Sequence, residues 1–113
     1  EGDAIAWHCG NLLKVNYRDI QDYGAVSREV CSQMSSNILS LHPDVNLSIA
    51  VSGIAGPKSD DTKKEVGLVY ISVSLNKETL CKEYKFGEIG RDNVRLNTSI
   101  EAFEISYELA SQL

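Results

Sequence analysis

Apolar residues recur along this chain with two periods, and the change from one to the other divides it into elements. From Val26 onward, Val30, Met34, Ile38 and Leu41 follow at spacings of four and three, which predicts one stripe of a helix. Ser27 supplies an N-cap hydroxyl, Glu29 puts a carboxylate in the first turn where the helix dipole favours it, and Pro43 stops the helix. Val45, Leu47, Ile49 and Val51 then alternate with Asn46, Ser48, Ala50 and Ser52, the period of two of a strand whose other face carries only small residues. "VGLVYISVS", residues 66 to 74, is nearly continuous in apolar residues and predicts a central strand covered on both faces. A turn at "LNKE", 75 to 78, leads into a more charged strand from Thr79 to Phe86, placed nearer an edge. The short connection predicts that these two strands pair antiparallel. Leu96, Ile100, Phe103, Tyr107 and Ala110 are spaced as the face of a last helix, running from about residue 90 to 109. Near the start, residues 3 to 7 read as a short buried strand, and 11 to 23 as a short helix with an irregular turn.

Helices before and after a sheet with a buried middle strand predict a layered α/β domain with a mixed sheet. At 113 residues the chain is long enough for a single domain with its own core. A net charge of −5 argues against nucleic acid as a partner, because a phosphate backbone is met by a basic patch. No run of eighteen apolar residues occurs, so no membrane partner is expected, and the acidic start at Glu1-Gly2-Asp3 is unlike a signal peptide. Three cysteines, Cys9, Cys31 and Cys81, are odd in number and without metal spacing, which predicts a reduced, cytoplasmic setting with Cys31 and Cys81 as buried, inert thiols. Two histidines, His8 and His42, are too few for a metal site, and no cofactor is called for.

Two stretches can carry chemistry. The first is Ser52-Gly53-Ile54-Ala55-Gly56-Pro57, a glycine-bracketed loop at a strand end. Ligands collect outside strand ends in open α/β sheets, and glycines let backbone N–H groups approach an anion; a plain change of chain direction is the other reading. The second is "GEIGRDNVR", where Arg91 and Arg95 stand four apart on one side of a helix start. Cations are disfavoured at that positive end, and a bound phosphate or carboxylate would remove the conflict; surface pairing with Glu88 or Asp92 is the alternative. The charged run 58 to 64 reads as a solvated loop or as a lid over the glycine loop.

Taken in order, "YGAVS" (23 to 27), "VSGIAGP" (51 to 57), "VGLVYIS" (66 to 72) and "FGEIGRDNVR" (86 to 95) resemble the C-terminal domain of the CinA competence/damage-inducible proteins. The resemblance covers roughly residues 2 to 109 and implies a three-layer α/β/α domain with a mixed sheet. It also implies hydrolysis of the carboxamide of nicotinamide mononucleotide to nicotinic acid mononucleotide and ammonia. By that resemblance Ser52, Gly53, Ile54, Ala55 and Gly56 form one wall of a mononucleotide pocket, with Ser52 a polar contact in place of the family's usual threonine. Arg91 and Arg95 fall on two family arginines and become the expected contacts of the phosphate or another part of the ligand.

The family's nucleophile is the serine of a Ser-Cys-Thr-Gly-Gly segment, which this sequence does not contain. Its lysine is also unmatched. Aligning "AIAW" puts Trp7 at the family's tyrosine and deletes the lysine, whereas counting back from "LLKV" puts Ala4 and Cys9 at the two positions. The catalytic residues are therefore not assigned. Two expectations follow: a domain lacking its N-terminal strand and helix, with homo-oligomerisation to cover exposed sheet surface, or a diverged homologue that binds a nucleotide or oligomerises without catalysis.

Overall fold

The computed structural model describes residues 14–54 and 65–111. In these residues three helices, α1 (Tyr17–Tyr23), α2 (Arg28–Leu41) and α3 (Arg91–Ala110), surround strands β1 (Leu47–Gly53), β2 (Leu68–Leu75) and β3 (Glu78–Lys85). The strands pair antiparallel in the order β1-β2-β3. The expected layered α/β class holds, with α2 on one face of the sheet and α3 on the other. Among the described residues the sheet is antiparallel rather than mixed. The additional strand expected at residues 3 to 7 lies outside them.

Local chemistry explains most of the boundaries. Ser27, extended at φ −158°, accepts from the Val30 N–H and caps α2, as its position before the apolar stripe predicts. Asn16 caps α1 in the same way, its Oδ1 accepting from the Arg18 N–H at 2.9 Å. The β2–β3 hairpin turns on Asn76 and Lys77, between paired Leu75 and Glu78, and Asn76 takes the positive φ of 57° that asparagine tolerates.

The two faces of the sheet are built from different residues. Val69, Ile71, Val73 and Leu75 of β2 pack against Val94, Ala102, Ile105 and Leu109 of α3, with Leu80, Tyr84 and Phe86 at the margin. On the opposite face Ser48, Ala50, Ser72 and Ser74 are buried under α2, whose inward residues are Val30, Cys31 and Ser35. Ser35 Oγ lies 2.6 Å from Ser72 Oγ and 2.8 Å from Ser74 Oγ, which in turn lies 2.8 Å from Thr79 Oγ1. Ser48 donates to the Ser35 carbonyl. Every buried side-chain polar atom among the described residues has a partner, as interior hydroxyls require.

Two apolar faces are exposed. On β1, Ser48 and Ala50 are buried under α2, while Leu47, Ile49 and Val51 share the α3 side of the sheet with Leu75, Val73 and Ile71 but stand on the edge strand, exposed by 40%, 42% and 43%. On α3 the inward stripe is Val94, Thr98, Ala102, Ile105 and Leu109, while Leu96, Ile100, Phe103 and Tyr107 point outward. On α2 the inward line runs through Cys31 and Ser35, leaving Met34 and Ile38 half-buried and Leu41 exposed.

Candidate functional site

The end of the sheet where β1 and β3 finish and β2 begins gathers the glycine-rich segments. Past Gly53, the Ile54 N–H donates to the Leu68 carbonyl at 2.9 Å, and the Ile54 carbonyl accepts from the Gly67 N–H at 2.6 Å. The Gly67 carbonyl then accepts from the Phe86 N–H at 2.9 Å, joining the exit of β1 to the exit of β3. Gly67 has φ +89°, and a Cβ built there would stand 2.3 Å from both the N and the O of Gly87. Two backbones thus cross where no side chain fits, a requirement that only glycine meets. Gly87 leads through Gly90 directly into α3, so Arg91 begins its helix at this same end of the sheet.

Ser52, Gly53 and Ile54 therefore lie at the expected strand end. Ala55 and Gly56, as well as the charged run 58 to 64, lie outside the described residues. Ser52 is half-buried, and its Oγ donates to the carbonyl of Ala25 at 2.6 Å. That contact ties the "YGAVS" turn, which precedes α2, to the glycine strand end. Gly53 is also sterically required, since a Cβ there would meet Val69 Cγ2 at 2.8 Å and the Leu68 carbonyl at 3.0 Å. Ile54 is buried at 7% exposure and anchors the start of the loop.

Arg91 and Arg95 are exposed on the first two turns of α3. Gly90 is the N-cap and offers no side-chain acceptor to the first turn, where Asp92 is the acidic residue. First-turn N–H groups and two guanidinium groups at one helix start form a surface suited to an anion.

Next to Ser52 across the β1–β2 register stands Tyr70. Its phenol donates to Glu83 Oε1 at 2.8 Å, and burial first, then that carboxylate, pushes its pKa up to about 12. It is therefore a proton donor at neutral pH rather than a base. Ser52 has its proton committed to a backbone carbonyl, which does not activate a hydroxyl for attack. A group that would activate a nucleophile is not among the contacts of Ser52 in the described residues.

The glycine crossing at Gly67 and Gly87 and the Ala25 carbonyl were not singled out by sequence reasoning. The signal was available in "VGLVY" and "KFGEIG", each with a glycine next to a strand, but only the pairing register shows that the two glycines meet. An open depression of about 340 Å³ lies at the other end of the sheet, lined by Ser36, Ser40, Ser74, Lys77 and Thr79 beside the hairpin. It is separate from this site. No group of three His, Cys, Asp or Glu side chains among the described residues is placed to hold a metal ion. No helix among them is long and apolar enough to cross a membrane.

These features define an α/β domain whose glycine-rich segments meet at one end of its sheet. Comparison with known proteins gives the family. Residues 10–110 match the model of the CinA C-terminal domain. A CinA-like protein of Acaryochloris marina is 42% identical over 96 residues, and one of Sulfurihydrogenibium is 45% identical over 92. Those alignments take in 83% and 79% of this chain but 22% of each relative. Among solved structures, the competence/damage-inducible protein CihA of Agrobacterium tumefaciens superposes with a TM-score of 0.83 at 35% identity, covering 90% of this chain and 62% of that one. The competence damage-inducible protein A of Klebsiella pneumoniae superposes at 0.78 with 28% identity, covering 89% and 62%. The chain belongs to the CinA C-terminal domain family and spans about a fifth of the curated relatives it matches.

Proposed function

We propose that this chain is the mononucleotide-holding domain of a nicotinamide-nucleotide amidohydrolase, which converts nicotinamide mononucleotide to nicotinic acid mononucleotide and ammonia. The supporting observation is the meeting, at one end of the sheet, of the Ser52-Gly53-Ile54 strand end, the Gly67–Gly87 crossing and the helix start at Arg91. In this reading the N–H groups of α3 with Arg91 and Arg95 take the phosphate, while the β1 exit lines another part of the ligand. A homo-oligomer belongs to the proposal, with the outward Leu96, Ile100, Phe103 and Tyr107 as apolar surface for a second copy to cover.

The test is incubation of the full-length protein with nicotinamide mononucleotide and measurement of released ammonia. Turnover is expected, and its absence from a correctly folded full-length protein overturns the enzymatic assignment. One observation favours a second reading: the proton of the Ser52 hydroxyl is held by the Ala25 carbonyl. A non-catalytic homologue would bind the mononucleotide without releasing ammonia, and Arg91→Ala would weaken that binding by about tenfold. Calorimetry with no detectable binding to the unmutated protein rejects both readings.

A further inference from the structure

The inward side of α2 brings together two cysteines that stand fifty positions apart in the chain, Cys31 and Cys81. Cys81 lies opposite Ser72, and Ser72 lies opposite Ala50, so the three form one row across the sheet beneath α2. The Cys31 thiol sits over this row, 3.3 Å from the Ala50 carbonyl and 3.4 Å from the Tyr70 carbonyl. One turn earlier on the same helix, Arg28 Nη1 donates to the carbonyl of Cys81 itself at 2.6 Å. The first turn of α2 is thereby fastened over Cys81, with the Cys31 thiol above the same row. Cys31 has no exposed surface, whereas Cys81 is half-buried and reachable from solvent.

The surroundings divide the labour between the two sulfurs. The neighbouring Cys31 thiol lowers the Cys81 pKa against the opposing effect of burial, helped by Ser32 and the Arg28 charge and opposed by Glu29. The same neighbour relation, together with burial, raises that of Cys31. A half-exposed thiol of lowered pKa beside a buried thiol of raised pKa is the arrangement of an attacking and a resolving cysteine. Cys81 is half-buried where a buried thiol was expected, while Cys31 is buried as expected.

We propose that Cys31 and Cys81 form a reversible disulfide on exposure to a peroxide, fastening the first turns of α2 to β3. The Cys81 thiolate attacks one oxygen of hydrogen peroxide, the O–O bond breaks, and Cys81 becomes a sulfenic acid while the other oxygen leaves as hydroxide. Cys31 sulfur then attacks the Cys81 sulfur, the S–O bond breaks, and the oxygen leaves as water with the Cys31 proton. The hydroxide takes the proton first released by Cys81, so two thiols and one peroxide give one disulfide and two waters. The reaction brings the two sulfurs to the ~2.05 Å of a disulfide bond. A small-molecule dithiol reverses the reaction by thiol–disulfide exchange.

The test uses the complete protein carrying Cys9→Ser, titrated with hydrogen peroxide at neutral pH, with intact mass and non-reducing peptide maps as readouts. The expected result is loss of two hydrogens, a peptide pair linking Cys31 to Cys81, and full reversal by dithiothreitol. Cys81→Ser, at the half-exposed position, is expected to slow peroxide consumption by about tenfold. In Cys31→Ser, Cys81 is expected to stop at a sulfenic acid that dimedone traps. If Cys31→Ser fails to fold, the peptide map of the Cys9→Ser protein decides alone. The proposal is overturned if Cys81 proceeds to sulfinic acid while Cys31 remains alkylatable after unfolding, or if Cys31 and Cys81 remain free thiols under peroxide. None of these readouts depends on ligand binding or turnover at the strand-end site.

Discussion

The two faces of the sheet solve the same packing problem with opposite chemistry. Under α3, β2 presents Val69, Ile71, Val73 and Leu75, and attraction comes from apolar surface removed from water. Under α2, the alternate residues of the same strands are Ser72 and Ser74, flanked by Ser48 and Ala50, and the contact is made by hydroxyls. The difference teaches that a buried surface need not be the more hydrophobic one. A helix that carries Cys31 and Ser35 inward approaches more closely than one that carries leucines, and the hydrogen bonds offset the cost of burying the oxygens.

The sharpest way to break this contrast is on the apolar face. Ile71 has no exposed surface and lies at the centre of the core beneath α3. Ile71→Ala is expected to cost about 4 kcal/mol, from lost transfer energy and the cavity left behind, read as a lower urea midpoint. On the hydroxyl face the expected effect is smaller but depends on how many oxygens are removed. Ser35→Ala strands the Ser72 hydroxyl and leaves Ser74 only its contact with Thr79, and is expected to cost about 2 kcal/mol. Removing Ser35, Ser72 and Ser74 together is expected to cost less than the sum of the three single changes. A multiple-mutant cycle measures this coupling, and strict additivity would show that the hydroxyls do not act as a unit.

Each face also carries a tyrosine whose ionisation is resisted, and this gives the smallest expected effect. Tyr70 lies on the α2 side and Tyr84 on the α3 side, and burial first, then Glu83 or Glu101 respectively, raises each pKa to about 12. The unfolded chain releases these protons near pH 10. Between the two values the unfolded state binds fewer protons than the native state, so stability is fully present below pH 10 and falls as pH rises through 12. Denaturant midpoints measured between pH 9 and 12 are expected to slope downward. Tyr70→Phe and Tyr84→Phe should each flatten part of that slope, and identical slopes in wild type and double variant would remove tyrosine as its cause.

The sequence disclosed which segments form elements better than it disclosed which way they face. Ser27 marks the start of α2, the continuous apolar run marks β2 as central, and "LNKE" marks the hairpin, because each is a local requirement of backbone geometry. Leu47, Ile49 and Val51 lie on the same side of the sheet as the β2 core yet stay exposed, because the α3 core is built on β2 and β1 is an edge strand. On α3, Leu96, Ile100, Phe103 and Tyr107 form the more apolar stripe, yet Val94, Thr98, Ala102, Ile105 and Leu109 meet the sheet. Periodicity identifies a helix but cannot choose between two stripes on opposite sides of it.

The candidate site was legible in part for the same reason. The strand-end Ser52 and Gly53 and the helix-start Arg91 are recognisable as local patterns. The crossing of Gly67 over Gly87 is not, because it depends on the pairing of β2 with β3 and on a backbone approach that leaves no room for a Cβ, which no local pattern encodes. The Ser52 contact with Ala25 likewise joins residues 27 positions apart.

In the chain of oxygens from Ser72 through Ser35 and Ser74 to Thr79 either partner of each pair can be the donor, and Ser35 can also donate to the Ser32 carbonyl at 3.2 Å. Rotating these hydroxyls exchanges donor for acceptor while all heavy atoms stay in place. The interior beneath α2 therefore has an orientational degree of freedom that the apolar face lacks. It can respond to a change of charge nearby by rotating protons instead of moving the backbone.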